Sequence, residues 1–221
     1  FNDLEAVKST ITKNTIAIMI EPIQGEGGVN IGSKAYIQGI KKLCDENNLL
    51  LIFDEVQTGI GRTGKLFCYE HYGVEPDIMT LGKGIGGGYP LSALMAKEKY
   101  NVFEPGDQGG TYTGQPLAME VGKTVLETIL NKNIIENANK KGQIILEKLT
   151  NLTSELKINN IRGKGLLIAF DIDNANQIVQ NCFEKGLIVN APSENTIRLM
   201  PPLIIENTHI EQMLKILKTR I

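Results

Sequence analysis

Lys83 stands where an apolar run ends and a glycine cluster begins, in TLGKGIGGGYP (80–90). A lysine is rarely fully buried without a partner, and Gly84, Gly86, Gly87 and Gly88 let backbone turn sharply or approach a ligand closely. An amine held in a pocket among such glycines loses its proton cheaply and becomes a nucleophile toward a carbonyl; a lysine after a strand also serves as a solvated cap. Asp54 closes the apolar run LLLIF (49–53). An acid there can cap a helix or pair with a cation, or it can hold a proton on the ring nitrogen of a bound aromatic group, which makes that ring an electron sink. Arg198, a single cation between apolar neighbours in TIRLMPP (196–202), reads on its own as an ion-pair partner, and Glu26 as an acid in the glycine-rich loop of EPIQGEGGV (21–29).

These residues need elements to position them. TIAIMIEP (15–22), LLLIFDEV (49–56) and DIMTLGK (77–83) are continuously apolar and end in polar or turn-forming residues, which predicts fully buried strands. Between the first two, Tyr36, Ile37, Ile40, Leu43 and Cys44 recur at helical spacing after a cap at Ser33, and ENN (46–48) ends the run. This is a β-α-β unit, hence a parallel sheet whose ligands gather beyond the carboxyl ends of the strands. Glu21, Asp54, Glu55 and Lys83 all fall at such ends. PLSALMAKE (90–98) adds a strand, residues 98–112 form a loop, and Pro116 opens a helix with Val121, Val125 and Ile129 on one face. Helical spacing returns at Ile145, Leu149 and Leu152. From about residue 150 the units shorten: GLLIAFDI (165–172), LIVNA (187–191) and TIRLMPP as strands, 174–186 as a helix ended by Gly186, and a last helix through Met213, Ile216 and Leu217. The reading is α/β throughout, with residues 1–149 in a large domain and 150–221 in a smaller one.

Composition narrows the partners. Among 221 residues, 23 basic and 25 acidic side chains leave a formal net charge of −2, so no electrostatic footprint for nucleic acid or an anionic membrane is present and the expected ligand is small. No apolar stretch reaches the roughly 20 residues of a membrane helix. Cys44, Cys68 and Cys182 lack CxxC spacing and read as buried thiols of a reducing cytoplasm, and His71 and His209 fit no triad or metal spacing with them, so no metal site is expected.

Taken together, FDEVQTGIGRTGKLF (53–67), PDIMTLGKGIGGGYPLSA (76–93) and GTYTGQPLA (110–118) resemble the class III, ornithine-type aminotransferases of pyridoxal phosphate (PLP) fold type I. EPIQGEGGV and RGKGLLIAFDI (162–172) point further to the acetylornithine aminotransferase branch. The resemblance runs along essentially the whole chain. It implies that Lys83 binds the cofactor aldehyde and shuttles the substrate proton, that Asp54 partners the pyridine nitrogen, that Val56 packs on the ring and that Gln57 lies near its phenolic oxygen. By the same resemblance Thr111 reaches the cofactor phosphate of a neighbouring subunit, implying a homodimer. Gln108 and Gln115 there replace the histidine and asparagine more usual in the family. Arg198 is matched to the arginine that grips a substrate carboxylate, and Glu26 to the glutamate that pairs with it when a donor presents its other end. The implied reaction moves an amino group from an ω-amino donor such as N-acetylornithine or ornithine to 2-oxoglutarate, in arginine biosynthesis. The family's chain is longer; this one matches its carboxy-terminal part, and the phosphate loop, a ring-stacking aromatic residue and a further carboxylate-binding arginine are expected elsewhere.

Other readings compete. GIGRTGKL (59–66) fits the phosphate-loop pattern GxxxxGK after an acidic strand, but Leu66 replaces the hydroxyl residue that binds magnesium and no strand leads into the loop. Glutamate-1-semialdehyde aminomutase, 4-aminobutyrate aminotransferase-like enzymes, racemases and decarboxylases share the PLP scaffold, and a non-catalytic fragment is a further alternative.

Overall fold

A computed structural model describes residues 1–220. In chain order the elements are α1 (Leu4–Thr10), β1 (Ala17–Ile20), β2 (Ile23–Gln24), β3 (Asn30–Ile31), α2 (Lys34–Asn47), β4 (Leu50–Asp54), β5 (Ile78–Leu81), β6 (Ala93–Ala96), α3 (Pro116–Asn131), α4 (Ile134–Asn151), α5 (Thr153–Leu156), β7 (Asn159–Lys164), β8 (Leu167–Asp171), α6 (Ala175–Phe183), β9 (Asn190–Ser193), β10 (Thr196–Leu199) and α7 (Asn207–Arg220). Short 3-10 turns occupy Cys68–His71, Lys83–Gly86 and Glu98–Tyr100. The chain packs into two compact units.

The first unit contains Phe1–Pro22, Gly32–Ile60 and Phe67–Lys132. Its sheet runs β1-β4-β5-β6, with β1, β4 and β5 parallel. α2 starts where the Ser33 hydroxyl accepts the Tyr36 N–H at 3.1 Å, ends at Asn48 in a left-handed conformation, and packs Ile37, Ile40 and Cys44 against β1 and β4. β6 returns antiparallel to β5. The eleven residues 82–92 are too few for the crossover of about a dozen or more that a parallel return needs. Asp77 fastens the start of this sheet: its side chain accepts the Leu51 N–H at 3.0 Å and the Lys97 ammonium at 3.3 Å. Burial opposes its ionisation, yet those donors hold the carboxyl below the usual aspartate range.

The sequence predicts fully buried strands, but burial alternates along them. Leu51 and Phe53 are closed off while Ile52 and Asp54 are half-buried, and Met19 on β1 is 55% exposed. The cause is one-sided cover: successive side chains face opposite ways, and α2 packs on β1 and β4 with Leu51 and Phe53 closed off.

The second unit contains Ile23–Ile31, Gly61–Leu66 and Asn133–Ile221. Its antiparallel sheet runs β7-β8-β10-β9, backed by α4, α6 and α7 around Ile145, Leu149, Ile168, Phe170, Ile197 and Leu217. The division therefore falls at Lys132/Asn133 rather than near 150, because α4 contributes Ala138, Ile145 and Leu149 to this core. Residues 61–66, the phosphate-loop lookalike, are held here by structural bonds: Arg62 Nη1 donates to Leu166 O at 3.1 Å and Pro201 O at 2.6 Å. Only the short 3-10 turn at Cys68–His71 follows that loop, and not the α-helix N-terminus that a phosphate cradle requires.

Candidate functional site

In the first unit, Asp54 ends β4 and Lys83 follows β5, the neighbouring parallel strand, so both stand at carboxyl ends. Parallel register sets Asp54 beside Thr80. Asp54 Oδ1 accepts the Val56 N–H at 3.0 Å and the Thr80 hydroxyl at 3.3 Å, and no described residue donates to Oδ2. The carboxylate is thus oriented through one oxygen with the other available to a ligand N–H. Val56 lies against Gly82: a Cβ on Gly82 would come within 3.1 Å of Val56 Cγ1, so a side chain there would displace the residue read as ring-packing. Gln57 is buried beside them in sequence. Lys83 is exposed among the described residues and takes φ +45°, a left-handed conformation unusual for a non-glycine residue. Backbone strain of this kind concentrates at functional sites.

Glu55, next to Asp54, is fully buried. Its carboxylate accepts the Cys68 N–H at 2.6 Å, the Tyr69 N–H at 2.8 Å and the Thr58 hydroxyl at 3.2 Å, fastening the strand end to the 3-10 turn at Cys68–His71. Burial pushes the Glu55 carboxyl up to about 7, against the pull of those three donors. Sequence position places Glu55 at the strand end but gives no sign of these partners, which lie in a turn 13 and 14 residues away.

Thr111 lies exposed in the irregular stretch after Glu98–Tyr100, in a turn closed by Thr113 N–H to Gly110 O at 3.0 Å. Among the described residues no hydrogen bond joins it to Asp54 or Lys83, so this unit does not gather it with them.

In the second unit, Arg198 is 7% exposed on β10. Nε donates to Asn190 Oδ1 at 2.8 Å, Nη1 to Gly25 O at 2.8 Å, and Nη2 to Glu26 Oε2 at 3.1 Å; Nη1 also lies 3.0 Å from Glu26 Oε1. The planar fork is therefore fixed by Asn190 and Gly25, while Glu26, 69% exposed at its side chain, covers the remaining edge as a carboxylate would. Sequence reasoning missed Asn190, although the β9/β10 register opposes it to Arg198. The described residues contain no His, Cys, Asp or Glu cluster able to hold a metal, no disulfide joins the three buried cysteines, and no helix is long and apolar enough to cross a membrane.

Comparison with known proteins gives these two halves a context. The acetylornithine aminotransferase of Caldanaerobacter subterraneus subsp. tengcongensis is 48% identical over 219 residues, covering 98% of this chain and 56% of that protein. That of Methanocaldococcus jannaschii is 44% identical over 220 residues, covering 98% and 55%. Among solved structures, an ornithine aminotransferase from Plasmodium yoelii superposes with a TM-score of 0.91 at 41% identity, over 100% of this chain and 61% of that one. An acetylornithine aminotransferase from Elizabethkingia anophelis gives 0.92 at 37% identity, over 100% and 58%. The chain thus spans little more than half the length of these curated relatives. The family model for class-III aminotransferases matches residues 1–221, and the chain belongs to that family.

Proposed function

We propose that this chain supplies the catalytic lysine and the carboxylate-gripping arginine of a PLP-dependent aminotransferase that moves an amino group from an ω-amino donor, N-acetylornithine or ornithine-like, to 2-oxoglutarate. The observation that carries this reading is Asp54 and Lys83 at the carboxyl ends of adjacent parallel strands, with Asp54 oriented through Oδ1 and open at Oδ2. These residues fit the cofactor: a carboxylate for a ring N–H, an amine for an aldehyde, and a side-chain-free Gly82 that leaves Val56 in place for the ring. When bound, the cofactor supplies an electron sink for the carbanion formed at the donor carbon.

The chain's own residues do the rest. Asp54 would hold the cofactor's ring N–H. Lys83 Nζ would hold the cofactor at its aldehyde and, as a free amine, would take and return the proton of the donor carbon. Arg198, already anchored on Asn190 and Gly25, exchanges Glu26 for the α-carboxylate of 2-oxoglutarate, and Glu26 keeps that cation neutralised while an ω-amino donor is bound. The enzyme works in arginine biosynthesis as a cytoplasmic homodimer, with Thr111 given to the partner's cofactor phosphate.

The test is the absorbance spectrum of the full-length protein with PLP, before and after borohydride, and amino transfer from N-acetylornithine to 2-oxoglutarate. A visible band trapped by borohydride at Lys83 and absent in Lys83→Ala, together with glutamate formation, is expected. No band in the wild type would overturn the reading.

A further inference from the structure

Two arginines, not one, hold the loop that carries Glu26. β8 pairs with both β7 and β10, and the registers oppose Ala169 to Arg162 on one side and to Arg198 on the other. The two arginines therefore stand in one transverse row, roughly 10 Å apart across two strand spacings, with a small alanine between them. Both reach the same loop: Arg198 Nη1 donates to Gly25 O at 2.8 Å, and Arg162 Nε donates to Gly28 O at 2.9 Å. Glu26 lies between the two pinned carbonyls.

The loop needs pinning. Gly28 takes φ +99° and Val29, fully buried, takes φ +59°, a left-handed conformation that a β-branched residue adopts only under constraint. Arg162 is itself locked. Its Nη1 donates to Asp171 Oδ1 and to Asn160 O, each at 2.8 Å, while Thr196 donates to Asp171 Oδ1 at 2.9 Å and Asn160 to Asp171 Oδ2 at 2.7 Å. Arg162 is 16% and Asp171 27% exposed at the side chain, so this network is far less screened than an ordinary surface pair.

We propose that Arg162 is a positioning residue: by holding Gly28 O it keeps Glu26 against Arg198, and so sets how readily Arg198 exchanges Glu26 for an incoming carboxylate. This rests on reading Arg198 as the carboxylate grip. Loosening the loop lets Glu26 drift into solvent and leaves Arg198 open, so the selectivity between dicarboxylate acceptor and ω-amino donor shifts toward the acceptor.

The experiment is calorimetric titration of the full-length holoenzyme with glutarate, a dicarboxylate with no amino or keto group to react. Wild type, Arg162→Ala, Glu26→Ala and the double variant are compared, with Asp171→Asn as the milder way to unlock Arg162 should the alanine variant not fold. Arg162→Ala is expected to tighten glutarate about fivefold when Glu26 is present and to change it by less than about twofold when Glu26 is absent. Weaker binding in Arg162→Ala, or the same change in both backgrounds, would overturn the proposal. Arg198→Ala separates the two readings: unchanged glutarate affinity there sinks the carboxylate grip itself, whereas lost affinity together with equal Arg162 effects in both backgrounds sinks only the positioning role.

Discussion

Arg198 Nη1 stands 3.0 Å from Glu26 Oε1, yet the arginine side chain is 8% exposed and the glutamate 69%. The cation is buried and its partner exposed, the asymmetry expected if Arg198 exchanges one anion for another. Leaving a buried cation unpaired is costly, so Glu26 is expected to leave Arg198 only as another carboxylate takes its place.

Arg198→Lys keeps the charge but loses the fork and the Nε bond to Asn190. Steady-state kinetics should show KM for 2-oxoglutarate rising about a hundredfold, equivalent to roughly 2.7 kcal/mol, with a smaller change for the ω-amino donor. Glu26→Ala should lower the acceptor KM. Equal effects on both substrates in Arg198→Lys would contradict the assignment.

Thr80→Val removes one of the two donors to Asp54 Oδ1 without changing the shape of β5. A neutral hydrogen bond to a charged group contributes about 1.5–3 kcal/mol, so with the Val56 N–H remaining the single-turnover rate should fall by about tenfold to a hundredfold. Asp54→Asn keeps the geometry and removes the charge that stabilises the ring N–H; there the loss should reach several orders of magnitude. A milder effect in Asp54→Asn than in Thr80→Val would place the critical contact elsewhere.

Glu55 gives the fold a pH dependence of definite sign. Its folded-state carboxyl is raised to about 7 from 4.5, chiefly by burial, so the folded state binds the proton more tightly than the unfolded chain. The resulting stability is fully present below the unfolded value and is lost as pH rises through the folded one. Urea midpoints of the full-length protein from pH 5 to 8 should fall along this limb more steeply in wild type than in Glu55→Gln, by on the order of 1–3 kcal/mol across the window. Identical slopes would mean that Glu55 does not titrate there.

How much of this was legible in sequence depended on range. The Ser33 cap, the Asn48 stop and the positions of Asp54 and Lys83 are local features, and the strand ends fall where apolar runs stop. The direction of β6 follows from a short connection and needed its length weighed against a crossover. The membership of residues 23–31 and 61–66 in the second unit was not legible, because nothing in their periodicity refers to a sheet a hundred or more residues away. The Glu26 and Arg198 pair is separated by 172 positions, and only family resemblance, not spacing, brought them together. β7 was missed because INNIRGK spends its residues on Arg162 and a close-packed Gly163 instead of on apolar alternation.

The left-handed backbone at Lys83 sets activity against stability at a single position. For an L-residue that conformation costs roughly 1–2 kcal/mol, and a glycine would relieve it at an unfolded-state entropy cost of about 0.4–1 kcal/mol. Within an ordinary helix, glycine is about 1 kcal/mol worse than alanine; at residue 83 the order should invert, so that Lys83→Gly melts above Lys83→Ala. A glycine at residue 83 would thus gain firmness at the expense of the amine, so the backbone there favours a residue that cannot carry the proposed chemistry.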